Sequence, residues 1–248
     1  MVRRFITKYT ADREQLGRVA AADCAKAIRT MLAEKELLNI VFAAAPSQNE
    51  FLQYLGEDGS VDFSRIRAFH MDEYIGLGAG APQLFSQYLK TALFSQKPFA
   101  QVHYINGHAD DPEQECVRYA GLLQAYPPDI VCLGVGENGH LAFNDPGTFR
   151  FTDTALMRVV QLDERCRQQQ VNDGCFTRLD EVPTRAITMT IAALGRAAYH
   201  FCMVPSSTKA QAVRQMIYGP VDEDCPASIL RTFGDVSLYL DQDSGQAL

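Results

Sequence analysis

The chain has 248 residues, of which 47% are hydrophobic and 21% are charged, and its formal net charge is −7 at pH 7. This composition is typical of a globular protein and excludes low-complexity disorder, collagen-like repeats and small disulfide-bonded scaffolds. The excess of carboxylates offers no electrostatic attraction to nucleic acid or to an anionic membrane, so we expect neither partner. A polyanionic ligand would have to be held locally, by a few cations and backbone N–H groups.

The sequence carries no signal for export or membrane insertion. The longest apolar runs, 40–46 and 130–135, are far too short to cross a bilayer. Residues 1–5 include two arginines, but no apolar segment follows them, so we expect no secretory signal. The seven cysteines are scattered and contain no C-x-x-C pair. We interpret them as reduced thiols of a cytoplasmic protein rather than as disulfides or zinc ligands.

Short β-branched or aromatic runs alternate with longer helical patterns along the whole chain. The runs predict strands at 39–45, 66–70, 102–105, 130–135, 157–161, 186–190, 200–204 and 236–240. The longer patterns predict helices at 12–36, 49–55, 83–94, 112–126, 206–218 and 227–233. This alternation favours an α/β fold, a three-layer α/β/α sandwich with a mainly parallel, Rossmann-like central sheet. No repeat or linker interrupts it, so we predict a single domain over 1–248, with a frayed end after Leu240.

In such sheets ligands bind at the carboxyl ends of the strands, so the residues after each strand are the candidate site residues. Ser47, Gln48 and Asn49 follow the first predicted strand and begin a helix, where free N–H groups favour an anion. The simpler interpretation is an N-cap without a ligand. The loop has no glycine and is therefore not a nucleotide-binding fingerprint.

Two adjacent carboxylates, Asp72 and Glu73, follow the next predicted strand. Neighbouring side chains on an extended backbone point in different directions, so one carboxylate can face a cleft while the other binds backbone. A partly desolvated carboxylate beside a substrate can act as a general base. The alternative is an acid that only caps a loop.

A glycine-rich segment with Gly134, Gly136 and Gly139 brings His140 and Asp145 to the end of another predicted strand. Histidine exchanges protons near neutral pH, and a carboxylate partner would fix its tautomer. The glycine spacing also matches G-x-G-x-x-G. Because no helical pattern opens after the third glycine, the evidence for a dinucleotide site is weak.

Lys209 falls in the first turn of a predicted helix, where the helix dipole disfavours a cation. An anion held between the amine and the free N–H groups would explain this placement, and a plain surface lysine stays an equal alternative. Ser206 and Ser207 do not form a nucleophile elbow. Other polar residues that we interpret as structural or solvent-exposed are His103, His108, His200, Arg165 and Arg167.

Segments 69–77 and 134–147 together resemble the glucosamine-6-phosphate deaminase/isomerase family. The motifs M-D-E-Y at 71–74 and G-x-G-x-x-G-H-x-A-F-N at 134–144 are specific in combination, and the likeness covers most of the chain. The resemblance implies an aldose–ketose isomerisation that converts an amino-sugar 6-phosphate into a ketose 6-phosphate and ammonia. It implies a cytoplasmic enzyme without a metal or organic cofactor.

The resemblance also implies roles for individual residues. Asp72 would be the base that moves a proton between C2 and C1, and His140 would assist opening of the pyranose ring with Asp145 as its orienting partner. The 47–49 turn and Lys209 would bind the phosphate. The implied catalytic residues are Asp72, Asn138, His140 and Asp145, and the implied substrate-binding residues are Ser47, Gln48, Asn49, Glu73, Gly136, Gly139 and Lys209.

The chain departs from the family pattern at several of these positions. The family usually has an acid at Asn138, a glutamate at Asp145, a Gly/Thr-rich loop at 45–49, and a phosphate-binding arginine near Gln169 or Gln170. Asparagine can hold neither a proton nor a charge, so we expect a differently arranged histidine relay. Relatives directed at galactosamine 6-phosphate share the N-G-H sequence, which leaves the sugar epimer open.

The tail beyond Leu240 is short, so we predict no activation by an acetylated amino-sugar phosphate. Two other functions stay open. A 6-phosphogluconolactonase-type hydrolase would use His140 to activate water and would not need Asp72, and a sugar-phosphate-binding regulator would bind without turnover. The oligomeric state is also open, with a homo-oligomer as one alternative.

Overall fold

Seven parallel strands form the central sheet of the computed structural model, which describes residues 4–248. The expectation about residues 1–5 therefore falls largely outside the described residues. In spatial order the strands are β1 (Arg4–Tyr9), β10 (Asp235–Leu240), β9 (Tyr199–Val204), β6 (Ile130–Leu133), β2 (Leu38–Phe42), β3 (Ile66–His70) and β5 (Gln101–His103).

Alternating side chains of the inner strands supply two separate cores. In β2, Ile40 and Phe42 pack into one core while Val41 packs into the other. The sequences of such strands are continuous apolar runs because helices cover both faces of the sheet. The predicted three-layer α/β/α arrangement is confirmed. The helices are α1 (Arg13–Leu32), α2 (Asn49–Glu57), α3 (Phe85–Leu89), α4 (Pro112–Ala125), α5 (Glu164–Asn172), α6 (Ile191–Leu194), α7 (Ala210–Tyr218) and α8 (Gln242–Gly245).

The helices divide between the two faces according to their apolar residues. Leu16 of α1 and Phe51 of α2 belong to the core that contains Ile40. Tyr119 of α4 and Met216 of α7 belong to the other core. The helices among residues 4–248 are all too short or too polar to cross a bilayer.

A second, antiparallel sheet of three strands lies apart from the central sheet. It consists of β4 (Asp72–Tyr74), β8 (Arg185–Met189) and β7 (Met157–Gln161), in that spatial order. The runs at 157–161 and 186–190 were correctly predicted as strands. They belong to this second sheet and not to the central parallel sheet. Short β4 pairs Asp72 with Thr188, which anchors the segment after β3 to this second sheet.

Several helical predictions need correction. The helix predicted at 83–94 divides into α3 and a π-helical turn, Lys90–Phe94, and the 227–233 segment is a 3-10 helix, Pro226–Thr232. The prediction of a frayed end after Leu240 is wrong. The side chain of Asp241 accepts a hydrogen bond from Ser244 N, and the Ser244 hydroxyl accepts one from Asp241 N, so a capping box starts α8.

Candidate active site

The carboxyl ends of four parallel strands meet at a cavity of about 360 Å³. Loops that follow β2, β3, β6 and β9 all contribute to its wall. These are the four segments that the sequence singled out, and they converge as expected for an open parallel sheet. The predicted site residues that line the cavity are Ser47, Asp72, Gly136, His140 and Lys209.

The adjacent carboxylates after β3 have different environments. Asp72 lines the cavity and is only 7% exposed; burial, reinforced by the charge of Glu73, raises its pKa well above the usual range. The Glu73 carboxylate instead accepts hydrogen bonds from the backbone N–H groups of Tyr74, Phe85 and Ser86 at 2.9–3.0 Å. The assignment of Glu73 to substrate binding is therefore corrected, because its carboxylate is occupied at the start of α3, outside the cavity lining.

His140 and Asp145 lie together in the loop after β6. His140 Nδ1 is 3.1 Å from Asp145 Oδ1, within ion-pair distance, although the ring N–H is not aligned for a hydrogen bond to any described residue. Burial opposes ionisation of Asp145, but the nearby imidazole of His140 and the amide of Asn138 lower its pKa overall. The carboxylate is thus kept ionised beside the imidazole.

Asn138 connects these two residues. Its Nδ2 donates to Asp145 Oδ1 at 2.9 Å, and its Oδ1 accepts from the backbone N–H of His140 at 3.1 Å. Asp145 and His140 belong to the same loop, so these two hydrogen bonds fix the conformation of the loop. The amide itself cannot carry a proton. Asn138 and Asp145 lie behind the cavity wall that His140 lines, which makes them positioning residues in this arrangement.

Glycine is required twice in this loop for steric reasons. A Cβ on Gly136 would lie 2.2 Å from His140 Cε1, so only glycine lets the imidazole pack against the backbone. Gly139 has φ +85°, and a Cβ there would lie 2.9 Å from Cys225 Sγ. Gly139 lies outside the cavity lining formed by the described residues and shapes the turn, and its assignment to substrate binding stays a prediction.

We call Ser47 and residues 205–209 the lysine corner. A Cβ on Gly134 would lie 3.2 Å from Ser47 Oγ and 3.3 Å from Met203 O, so this glycine lets the loop after β2 approach the end of β9. Lys209 is 7% exposed, and its Nζ has no hydrogen-bond partner among residues 4–248. A buried ammonium without a hydrogen-bond partner is costly unless a ligand supplies an acceptor.

Two carboxylates lie near this amine. Glu137 Oε1 is 3.9 Å from Lys209 Nζ, and Asp173 lines the same cavity. Burial lowers the pKa of Lys209, while the charges of Asp173 and Glu137 act in the opposite direction. The corner therefore holds a cation whose nearest protein charges are negative, at a distance too long for a direct hydrogen bond.

Ser206 in the lysine corner has a strained backbone. Its φ is +91° and its ψ is 140°, a region that is essentially restricted to glycine and costs roughly 1–3 kcal/mol. The strain is held by Asp241, whose two carboxylate oxygens accept from Ser206 N at 3.1 and 3.2 Å. Such strain concentrates at functional sites, and Ser206 lines the cavity.

The predicted 47–49 turn contributes only in part. Ser47 lines the cavity, whereas Gln48 is 1% exposed and donates through Nε2 to Ser47 Oγ at 3.0 Å. Asn49 begins α2, and its Oδ1 accepts from the hydroxyl of Tyr88. Gln48 and Asn49 lie outside the lining formed by residues 4–248, so their direct binding role stays a prediction, while Gln48 supports Ser47.

Sequence reasoning missed several cavity residues, among them Arg13, Tyr88 and Asp173. Arg13 already pairs with Glu50, through Nε at 2.8 Å and through a terminal nitrogen at 2.9 Å. Arg13 stands in the first turn of α1, where a cation is disfavoured, so the argument used for Lys209 could have found it. Asp173 follows a polar helix that offered no comparable signal.

With the geometry established, comparison with known proteins identifies the family. A family model described as glucosamine-6-phosphate isomerases/6-phosphogluconolactonase matches residues 11–238. The chain belongs to this family. It is 39% identical over 188 residues to a glucosamine-6-phosphate deaminase of Listeria innocua, covering 76% of this chain and 78% of that protein. A glucosamine-6-phosphate deaminase of Bacillus cereus is 37% identical over 184 residues, covering 74% and 68%.

Solved structures of the family extend the likeness over the whole fold. The structure of a monomeric glucosamine-6-phosphate deaminase superposes with a TM-score of 0.89 at 30% identity, covering 98% of this chain and 99% of that one. The 6-phosphogluconolactonase of Trypanosoma brucei gives a TM-score of 0.81 at 17% identity over all of both chains. At that identity the second comparison supports the shared fold alone.

Proposed function

We propose that this family member is an amino-sugar 6-phosphate deaminase that isomerises its substrate to a ketose 6-phosphate and releases ammonia. One observation carries the proposal: Asp72, His140 and the buried amine of Lys209 come from three separate strand ends and line one cavity. The deaminase names of the relatives at 37–39% identity support the same reaction. The conversion consumes one water, because an imine at C2 must be hydrolysed to leave a ketone.

Asp72 is proposed as the proton carrier between C2 and C1. Removal of the C2 proton from the open-chain sugar, with delivery of another proton to the C1 carbonyl oxygen, gives an enolamine. Return of the C2 proton to C1, with loss of one proton from the nitrogen, gives a C2 imine. Water then adds to the imine carbon, and ammonia leaves. Burial raises the pKa of Asp72, which supports this role because a carboxylate of higher proton affinity is a better base at neutral pH.

His140 is proposed to open the pyranose ring before that step. Ring opening needs a proton delivered to the ring oxygen and another removed from the anomeric hydroxyl. Asp145 lies beside Nδ1, which leaves Nε2 as the ring nitrogen for the substrate. The hydrogen bonds of Asn138 to Asp145 and to the backbone of His140 support an imidazole held in one orientation, which favours a fixed reaction geometry.

The lysine corner is proposed to hold the 6-phosphate. A phosphate there would supply the hydrogen-bond acceptor that Lys209 lacks and would meet the hydroxyl of Ser47 at the same wall. Anchoring the substrate at C6 would fix C1 and C2 relative to Asp72, because the sugar chain has a defined length. Residues 1–248 would act as one catalytic domain, with or without assembly into a homo-oligomer.

The sugar epimer and the compartment belong to this proposal as well. Either glucosamine 6-phosphate or galactosamine 6-phosphate would present the same C1, C2 and phosphate groups to the three residues. A sugar phosphate is a charged metabolite, and all seven cysteines are unpaired thiols, six of them buried. Both points support a cytoplasmic enzyme.

Ammonia release from purified protein tests the proposal. The protein is incubated separately with glucosamine 6-phosphate, galactosamine 6-phosphate and 6-phosphogluconolactone, and ammonia, ketose phosphate and acid are measured. Equal amounts of ammonia and ketose 6-phosphate with one amino sugar are expected, and the preferred sugar identifies the epimer. Hydrolysis of the lactone without ammonia release would overturn the proposal in favour of a lactonase. Binding without turnover would favour a regulator.

A further inference from the structure

Behind the cavity wall, three side chains from two elements bring metal-binding atoms together. His140 and Asp145 come from the loop after β6, and Cys166 comes from α5. Their nitrogen, oxygen and sulfur atoms all lie within 4.8 Å of one another, and all three residues are buried. We propose that His140, Asp145 and Cys166 form a Zn²⁺ site, and that a bound ion inhibits the enzyme.

The spacing suits a tetrahedral ion. Zn²⁺ with nitrogen and oxygen ligands at about 2.0–2.1 Å places those two atoms roughly 3.3 Å apart. His140 Nδ1 and Asp145 Oδ1 are 3.1 Å apart, so only Cys166 Sγ, at most 4.8 Å away, needs to approach. A shift of about 1 Å in one side chain completes three ligands, with a sulfur bond of about 2.3 Å.

The orientation of the imidazole also points to a ligand. His140 Nδ1 is buried and lacks an aligned hydrogen bond within the described part of the chain, despite its closeness to Asp145. An ion shared by two atoms lies off the line that joins them. A nitrogen that is misaligned for a hydrogen bond is therefore compatible with coordination to the same carboxylate.

The donor set selects the kind of ion. A thiol, an imidazole and a carboxylate together favour Zn²⁺ over Mg²⁺ or Ca²⁺, which prefer oxygen ligands. When Zn²⁺ binds, the thiol of Cys166 loses its proton to water and the sulfur forms a bond to the metal. Burial raises the pKa of this thiol, so displacing the proton costs free energy and the site is weaker than a structural zinc site.

The site lies directly behind the His140 ring, which lines the cavity, so an ion bound there sits on the Nδ1 side of the imidazole and faces away from the substrate. An ion there occupies Nδ1 and the Asp145 carboxylate together. The inhibitory part of the inference rests on the proposed function, because that function uses both groups in ring opening. The binding part does not depend on it.

Two readouts test the inference on the purified full-length chain. Cobalt(II), which replaces zinc in such sites, should give a thiolate-to-cobalt charge-transfer band in the near ultraviolet, and Zn²⁺ should abolish that band. Zn²⁺ added without cobalt should inhibit ammonia release. Cys166→Ala should remove the band and raise the half-inhibiting Zn²⁺ concentration about tenfold or more, relative to that variant's own activity without metal.

Cys175→Ala is the matched control, because Cys175 lines the same cavity but is not part of the cluster. It should keep both the band and the zinc sensitivity. Cys166→Ser, which keeps the size of the side chain, replaces Cys166→Ala if that variant does not fold. A band that survives loss of Cys166, or equal desensitisation by the Cys175 variant, would overturn the site. A protein without deaminase activity that still shows the Cys166-dependent band would refute the proposed function and leave the site supported.

Discussion

The two polar regions of the cavity differ in how firmly the protein holds their backbone and side chains. Around His140, the amide of Asn138 bonds both to Asp145 and to the loop backbone, so the acid–base side is braced from within. In the lysine corner, Lys209 Nζ has no hydrogen-bond partner among residues 4–248, and Ser206 is held in a strained conformation. This difference indicates that the acid–base side is preorganised, whereas the lysine corner is completed by a ligand.

The largest effect is expected from Asp72→Asn on the acid–base side. The amide cannot accept and return a proton, so turnover in ammonia release should fall by about 10²-fold or more. KM should change little, because the lysine corner is untouched. Steady-state kinetics with the preferred amino-sugar phosphate provide the measurement.

Glu73→Gln is the matched control for this change, since it removes the neighbouring charge at a residue outside the cavity. We expect that variant to lose stability, because Glu73 caps α3, and to keep most of its turnover when folded. Near-normal turnover in Asp72→Asn would contradict the role of the base.

A smaller and different effect is expected from Lys209→Met in the lysine corner. The apolar side chain has a similar length but no charge, so KM should rise by about 10- to 100-fold with a much smaller change in kcat. Removing an unpaired buried amine should also leave the melting temperature unchanged or raise it. An unchanged KM would show that the phosphate binds elsewhere.

Asp173→Asn should act in the opposite direction at the same corner. Removing a negative charge near Lys209 leaves more attraction for a phosphate, so the KM for a sugar phosphate should fall by about 3- to 10-fold. The effect should weaken as salt is added, because part of this region is open to solvent. Asp180→Asn removes the same charge from an exposed residue paired with Arg178 and should leave KM unchanged. Equal effects of both variants would indicate a general charge effect rather than a local one.

The contrast between the two regions also shows which features a sequence can predict. Asp72, His140 and Lys209, which line the cavity, were predicted as site residues because their chemistry is visible in the residue type and each follows a predicted strand. The buried strands were found for a similar reason, since a run such as 130–133 is apolar throughout. Helix α5 was not predicted as an element, because only Cys166 of its residues is buried and no apolar periodicity marks it.

The remaining site residues depend on contacts across the fold. Asp72 and Glu73 are adjacent acidic residues that the sequence does not distinguish. The position of α3 determines which of the two carboxylates accepts hydrogen bonds from backbone N–H groups. Asp173 reaches the cavity because α5 packs beside the β6 loop, where Gln169 accepts from Glu137 N at 3.1 Å. The short β4 was missed as well, since its pairing with β8 joins residues more than a hundred positions apart.

The smallest expected effect is on thermal stability, because burial of the Asp72 carboxylate on the acid–base side costs free energy of folding. The folded pKa of Asp72 is raised by burial, so the folded state disfavours the ionised form that the unfolded chain adopts above its ordinary pKa of about 3.9. Folding at neutral pH therefore costs free energy that is absent at pH values below the unfolded pKa, where both states are protonated. Asp72→Asn should raise the melting temperature at pH 7 by a few degrees, and the gain should shrink as the pH falls towards 4. Thermal unfolding of both proteins across this range measures the difference. A gain that is independent of pH would mean that the buried carboxylate is not its source, and the acid–base side would then lack the raised proton affinity on which its proposed chemistry depends.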